Sequence, residues 1–269
     1  MLISFITWNV SPEIFQIGPF SVRWYGLLFA LAFIVSYQIV LWMYKREHKP
    51  EADVEQLTVY MILGTVIGAR LGHCLFYNPE YYLSNPLEIL MIWKGGLASH
   101  GATIGILTAV YLYSRKKKEN YIAMLDKLAV VGAISSCFIR LGNLFNSEII
   151  GKPADVAWAF IFTRVDSLPR HPAQLYESIA YLIIFFILLF VYKNKSKKYG
   201  RGLLLGLLLV LVFGFRFFVE FLKEDQSAFE KGMILNMGQI LSIPFVIAGI
   251  IFIILAMKNR LGKAQSTAT

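Results

Sequence analysis

Long unbroken apolar runs alternate with short polar connections along this chain. Seven apolar segments stand out, at residues 24–44, 57–77, 97–113, 121–145, 174–192, 203–222 and 237–257. Several approach the roughly 20 residues that a helix needs to cross a bilayer. Transmembrane barrels need ten-residue strands of alternating polarity, and these continuous runs do not alternate, so the pattern predicts α-helices. The fourth segment carries Asp126 and Lys127 near its start, and only residues 128–139 of it are free of charge. The longest connection, residues 146–173, contains Gly151, Pro153, Pro169 and Pro172 and reads as a small extracytoplasmic cap. Residues 1–22 alternate apolar and polar groups around Pro12 and Pro19, the pattern of an arm lying in the membrane interface. No Lys or Arg precedes the short apolar opening MLISFITW, so it does not read as a cleaved signal. The expected fold is an all-α polytopic membrane protein, a single integral membrane domain over residues 1–269 with seven transmembrane helices.

Composition strengthens that reading. Hydrophobic residues make up 57% of the 269, only 16% are charged, and mean hydropathy is +0.59. A soluble domain is nearer 45–50% apolar and about 25% charged. The net charge of +9 would suggest nucleic acid in a soluble protein, but here the cations cluster in short loops. Lys45, Arg46 and Lys49 follow the first segment, and Arg115, Lys116, Lys117 and Lys118 the third. Lys193, Lys195, Lys197, Lys198 and Arg201 follow the fifth, and Lys258, Arg260 and Lys263 the seventh. These are more than half of the 26 basic residues, always after an odd-numbered segment, while NPEYYLSNPLE after the second has none. The positive-inside pattern predicts an extracytoplasmic N-terminus and a cytoplasmic C-terminus, with no nucleic-acid partner. Cys74 and Cys137 both lie in apolar stretches and read as small buried side chains, with no metal site implied.

Four polar clusters interrupt the apolar runs. In RFFVE, Arg216 and Glu220 are four apart and share a helical face. They are either a self-contained ion pair that eases insertion or an arginine fork aimed at an anion, since planar guanidinium donors suit phosphate. KGGLASHGA, residues 94–102, sets His100 among glycines that permit close approach of a ligand. RHPAQLYE, residues 170–177, places Gln174, Tyr176 and Glu177 in the first turns of a helix that Pro172 suits, as ligands or as cap and interfacial anchor. RLGNLFNSEIIG, residues 140–151, puts Arg140, Asn143 and Asn146 on one stripe, with Glu148 and Gly151 beyond it. A hydrogen-bonded seam between helices is the bland alternative for this stretch. By the predicted topology all four clusters lie toward the outer leaflet, while the inner halves of the segments are almost purely apolar. That arrangement suits a ligand with an anionic head and apolar tails, a phospholipid.

These motifs, in this order, resemble the prolipoprotein diacylglyceryl transferase family. The resemblance covers nearly the whole chain through RWYG (residues 23–26), GARLGHCLFYNP (68–79), GGLASHG (95–101), RLGNLFNSEIIG, HPAQLYE (171–177), RFFVEF (216–221) and MGQILSIP (237–244). The family signature runs Gly-Arg-x-Gly-Asn-Phe-x-Asn-x-Glu-x-x-Gly; here Ile139 replaces the leading Gly and Leu144 the Phe, and every polar group is kept.

The resemblance implies seven helices, amphipathic N-terminal arms and a periplasmic head in the bacterial inner membrane. It implies transfer of the diacylglyceryl group of phosphatidylglycerol to the lipobox cysteine thiol of a prolipoprotein, with glycerol phosphate leaving and no cofactor or metal. Arg140 and Arg216 are then the phosphate ligands, on charge as well as resemblance, and His100 the catalytic base. Tyr25, Asn143, Asn146, Glu148 and Gly151 shape the head-group pocket, and Glu220 orients Arg216. Gln174, Tyr176 and Glu177 support the pocket from behind. A lipid transporter or flippase is the rival class; it predicts broken helices at mid-depth and a pseudo-symmetric repeat, and neither is visible in the sequence.

Overall fold

A computed structural model describes residues 5–18, 20–194, 199–225, 230 and 232–262. Residues 1–4 of the expected arm, Lys195, Lys197, Lys198, Lys231 and Lys263, and the polar tail AQSTAT lie outside them.

Three short strands open the chain: β1 (Ile6–Trp8), β2 (Glu13–Ile17) and β3 (Phe20–Arg23). Among the described residues eight α-helices follow: α1 (Trp24–Arg46), α2 (Glu51–Tyr77), the short α3 (Pro79–Ser84), α4 (Ser99–Lys117), α5 (Tyr121–Asn146), α6 (Ala173–Asn194), α7 (Leu203–Val219) and α8 (Met237–Met257). Strands β4 (Phe160–Phe162) and β5 (Pro169–Arg170) lie between α5 and α6. Among the described residues, six helices are long and apolar enough to cross a membrane: α1, α2, α5, α6, α8, and α7 with its 3₁₀ extension to Leu222. The protein is thus a mostly helical, polytopic membrane protein.

The third expected span departs from that set. It forms a helix, α4, but one that is not among the six. Ser99, His100, Thr103 and Thr108 dilute its apolar content, and its last turn is Arg115, Lys116 and Lys117. The fourth span, despite Asp126 and Lys127, is among the six, because the apolar residues from Leu128 onward outweigh them.

The chain divides into two compact units. One runs from the N-terminal strands to Ile39 and resumes at Asp126; the other is Val40–Leu125.

In the first unit, α6 packs on α7 and α7 on α8. Gly206 and Gly249 allow the α7–α8 approach, since a methyl on Gly206 would stand 2.7 Å from the Gly249 carbonyl oxygen. The first turn of α7 is capped from another helix: Asp126 accepts the amides of Gly202 at 2.6 Å and Leu205 at 2.9 Å, two donors a helix start otherwise leaves without partners. The expected cap contains a small sheet of order β1-β4-β5, with β1 parallel to β4 and β4 antiparallel to β5. Residues Ile6–Trp8 of the expected arm are therefore a strand of this sheet. Strands β2 and β3 form a separate hairpin with Phe15 and Ile17 exposed. Phe160 and Phe162 of this sheet form a buried cluster with Leu144, and Trp8 donates its indole N–H to Leu144 O at 3.2 Å.

The second unit is built on the α2–α4 pair. Gly64, Gly68 and Gly72 face Gly101 and Gly105 so closely that a methyl on Gly72 would lie 2.6 Å from the Gly101 Cα. Arg70 organises the connection between these helices. Its guanidinium, 3% exposed, donates to the carbonyls of Glu88 at 2.6 Å, Ile89 at 2.9 Å and Gly95 at 2.5 Å.

Candidate functional site: a buried charge network at the ends of three helices

Three elements of the first unit bring charge together. Arg140 and Asn143 come from the last turns of α5, Glu177 from the first turns of α6, and Arg216, Glu220 and Lys223 from the end of α7 and the 3₁₀ turn that prolongs it. Arg140 Nε lies 3.0 Å from Glu177 Oε2. The other oxygen, Glu177 Oε1, is 3.1 Å from Lys223 Nζ and accepts the Tyr181 hydroxyl at 3.1 Å. Lys223 Nζ also meets Glu220 Oε1 at 2.9 Å, and Arg216 Nε approaches that same oxygen at 3.4 Å. The groups form a continuous chain: Arg140, Glu177, Lys223, Glu220, Arg216. Glu177 is fully buried, Lys223 is 1% exposed, and Arg216 at the end remains 34% exposed. Charges this deep need partners, and each has at least one.

Local structure fixes this geometry. Pro172 precedes α6 and accepts the amides of Leu175 and Tyr176, so Gln174 and Glu177 enter on the first turns. Glu220 is held from a third side, because Asn236 donates to Glu220 Oε2 at 3.3 Å while its own Oδ1 caps α8 at Gln239 N. Gly238 is required there, since a methyl would stand 2.6 Å from Glu220 Oε1.

The 140–151 stretch leaves its helix as the sequence suggests and then doubles back. Arg140 donates to Asn143 Oδ1 at 3.3 Å, Asn143 donates to Glu148 Oε2 at 3.2 Å, and Asn146 donates to Glu148 Oε1 at 3.2 Å. The reversal runs through Ser147 (φ 55°) and Ile149 (φ 56°), both left-handed. A β-branched residue there is uncommon and strained. Gln174 donates to Glu148 O at 2.5 Å and secures the turn. Gly151 ends it where three segments cross: its amide donates to His171 O at 3.0 Å, and a methyl would stand 2.9 Å from Leu222 O. Tyr25 of α1 lies flat against Gly142, where a methyl would approach its ring to 2.7 Å.

The structure adds contacts to three of these groups. Arg216 and Glu220 are not a self-contained pair, because Glu220 is shared with Lys223 and Asn236. Glu177 joins Arg140 to Lys223. The Tyr176 hydroxyl accepts Trp158 Nε1 at 2.8 Å and lies 3.1 Å from His171 Nδ1. His100 stands exposed on the first turn of α4, in the second unit, whereas Arg140 and Arg216 belong to the first. Sequence reasoning gave Lys223 no role. The signal for it was a lone lysine seven residues after Arg216, one further turn along a helix whose other polar groups already formed a face.

The model of the family described as prolipoprotein diacylglyceryl transferase matches residues 12–255. A phosphatidylglycerol–prolipoprotein diacylglyceryl transferase of Chloroherpeton thalassium is 52% identical over 257 residues, covering 95% of this chain and 96% of that protein. One from Bacteroides fragilis is 52% identical over 267 residues, with 95% and 96% covered, and one from Tolumonas auensis is 48% identical over 254 residues, with 94% and 98% covered. By the family match and by relatives that align nearly end to end, this chain belongs to the prolipoprotein diacylglyceryl transferase family.

Proposed function

We propose that the protein transfers the diacylglyceryl group of phosphatidylglycerol to the thiol of a prolipoprotein lipobox cysteine, the first step of lipoprotein maturation. The thiol sulfur attacks the diacylglyceryl carbon that carries the phosphate ester oxygen. A carbon–sulfur bond forms, the carbon–oxygen bond breaks, and glycerol phosphate leaves with both electrons of that bond. The phosphodiester monoanion becomes a monoester with a second developing charge, so fixed cations beside it lower the barrier. The observation that carries this reading is the joining of Arg140 and Arg216 through buried carboxylates in one network, with Arg216 still partly open. Planar guanidinium groups, held on one side by carboxylates, present their remaining donors to phosphate oxygens.

Asn143, Asn146, Glu148 and Gly151 form the wall beside Arg140, with Tyr25 packed on α5 next to it, and Glu220 orients Arg216. A thiol with pKa near 8.5 is mostly protonated at neutral pH, so a base accelerates attack. His100, exposed and flanked by glycines, is assigned that proton. The site opens toward the outer leaflet of the bacterial inner membrane, the N-terminus lies outside, α4 completes a seventh span, and residues 146–173 form the cap over the outer face. The positive loops after odd-numbered segments support this orientation.

Purified protein incubated with phosphatidylglycerol and a lipobox peptide should yield a thioether-linked diacylglyceryl peptide by mass spectrometry. Movement of lipid without adduct would reject the transferase reading in favour of a lipid transporter.

A further inference from the structure

Lys223 is the most deeply buried cation of the network and lies at its centre. It is 1% exposed and touches both carboxylates, Glu177 Oε1 at 3.1 Å and Glu220 Oε1 at 2.9 Å. Its backbone is pinned as well: Lys223 pairs with Gly151 as an isolated β-bridge, and the neighbouring Lys152 amide donates to Leu222 O at 2.7 Å. The ammonium is therefore placed by the same crossing that ends the 140–151 stretch.

Two consequences follow from that position. The first concerns charge. Arg140, Lys223 and Arg216 supply three positive charges, and Glu177 and Glu220 two negative ones, so this chain of contacts holds one positive charge in surplus. Glu148 meets this chain through the Asn143 amide. Without Lys223 the chain would be neutral, each arginine matched by its own glutamate.

The second concerns geometry. A free guanidinium closes on a carboxylate with two parallel N–H···O bonds. Here Lys223 and Tyr181 occupy Glu177 Oε1, and Lys223 and Asn236 engage the two oxygens of Glu220. Each arginine makes its closest approach through Nε, at 3.0 Å and 3.4 Å, and Glu177 Oε2 accepts no directed hydrogen bond among the described residues. The carboxylates are thus kept from clamping the arginines in two-point pairs.

We propose that Lys223 is a positioning residue for the anionic substrate: by occupying both carboxylates it leaves Arg140 and Arg216 free to bind a phosphodiester and supplies the surplus charge that a monoanionic head group neutralises. The proposal rests on the reading of Arg140 and Arg216 as phosphate ligands. It assigns Lys223 to substrate affinity more than to the chemical step.

The test measures transfer from phosphatidylglycerol in detergent micelles to a lipobox peptide, with KM for the lipid and kcat read separately. Lys223→Met should raise KM about tenfold or more and lower kcat by less, the signature of lost binding shared by ground and transition states. Lys223→Arg keeps the charge and should hold KM within about threefold of the parent, since a guanidinium can also span two carboxylates. An unchanged KM in folded Lys223→Met overturns the proposal, as does an equal rise in Lys223→Arg. If Lys223→Met does not fold, Lys223→Gln keeps a donor without the charge and is judged by the same KM criterion. If neither neutral variant folds, the ammonium is structural and the proposal fails. A parent protein that makes no adduct defeats the transferase reading itself; an active parent with an indifferent Lys223 defeats only this inference.

Discussion

Glu177 is the residue whose removal the network tolerates least. Its side chain is fully buried, with an arginine 3.0 Å from one oxygen and a lysine 3.1 Å from the other. Glu177→Gln keeps the shape and removes the charge, leaving Arg140 and Lys223 facing a neutral amide. Breaking a buried pair from one side costs about 3–5 kcal/mol, because the partner stays buried without compensation. Chemical denaturation of the detergent-solubilised protein should therefore show a loss of that order. Asn146→Ala is the counterpart: its bond to the exposed Glu148 should be worth at most about 1 kcal/mol. Equal losses in the two variants would mean that burial of paired charge is not what Glu177 contributes to stability. The contrast also marks what one chain of letters can reveal. Arg216 with Glu220, and Arg140 with Asn143, are legible because helical spacing puts both partners on one face. The pairings of Arg140 with Glu177 and of Lys223 with Glu177 join different helices, and no spacing within either helix encodes them. Tyr176 was legible as a polar group at a helix start, but its partners Trp158 and His171 lie on the cap, outside any periodic pattern.

At the scale of elements, six spans announced themselves by apolar length, and the start of α6 by its proline. The helix that fell short, α4, is the one whose face is built for contact with another helix. Its glycines spend hydropathy on proximity: Gly101 and Gly105 sit against Gly64, Gly68 and Gly72, four-residue spacings on both helices that were open to view in the sequence. The strand at the start of the chain was less visible. Three residues pair in parallel with a segment more than half the chain away, and only the alternation of the arm hinted at extended backbone. The glycine seam carries a prediction about stability. A Cβ at Gly68 would stand 2.7 Å from the Gly105 Cα, and backbone cannot move aside as a side chain can. Gly68→Val should destabilise by about 1–3 kcal/mol through overpacking. Gly132→Ala on α5 meets only Leu208 Cδ2 at 3.8 Å and should instead stabilise by about 0.5–1 kcal/mol through reduced unfolded-state freedom. Thermal unfolding midpoints that move together in the two variants would show that close helix contact is not what the glycine seam supplies.

Across the whole molecule, titratable groups with a resolved effect lie on several connections outside the candidate spans, and among the described residues 146–173 they are Asp166, Arg170 and His171. Two of them pull in the same direction. Hydrogen bonds from the Arg170 guanidinium hold the Asp166 carboxyl below its ordinary range. Burial holds the His171 imidazole below its ordinary value, so the folded cap favours the neutral ring. For both groups the folded pKa is depressed. The stabilisation is complete above the unfolded pKa and is lost as pH falls through the folded one. The His171 contribution should therefore begin to fail below about pH 6.5, and the Asp166 contribution only below about pH 4. The first loss has a local reporter. Tyr176 hydroxyl joins His171 Nδ1 to Trp158 Nε1, so charging the imidazole acts on a chain that ends on an exposed indole. Tryptophan emission followed through an acid titration, alongside the thermal midpoint at each pH, should show a step near or below pH 6.5 and a second at lower pH. His171→Gln should abolish the upper step and leave the lower one; Asp166→Asn should do the reverse. An upper step that survives His171→Gln would place the titrating group elsewhere and leave the Trp158–Tyr176–His171 chain a packing feature only.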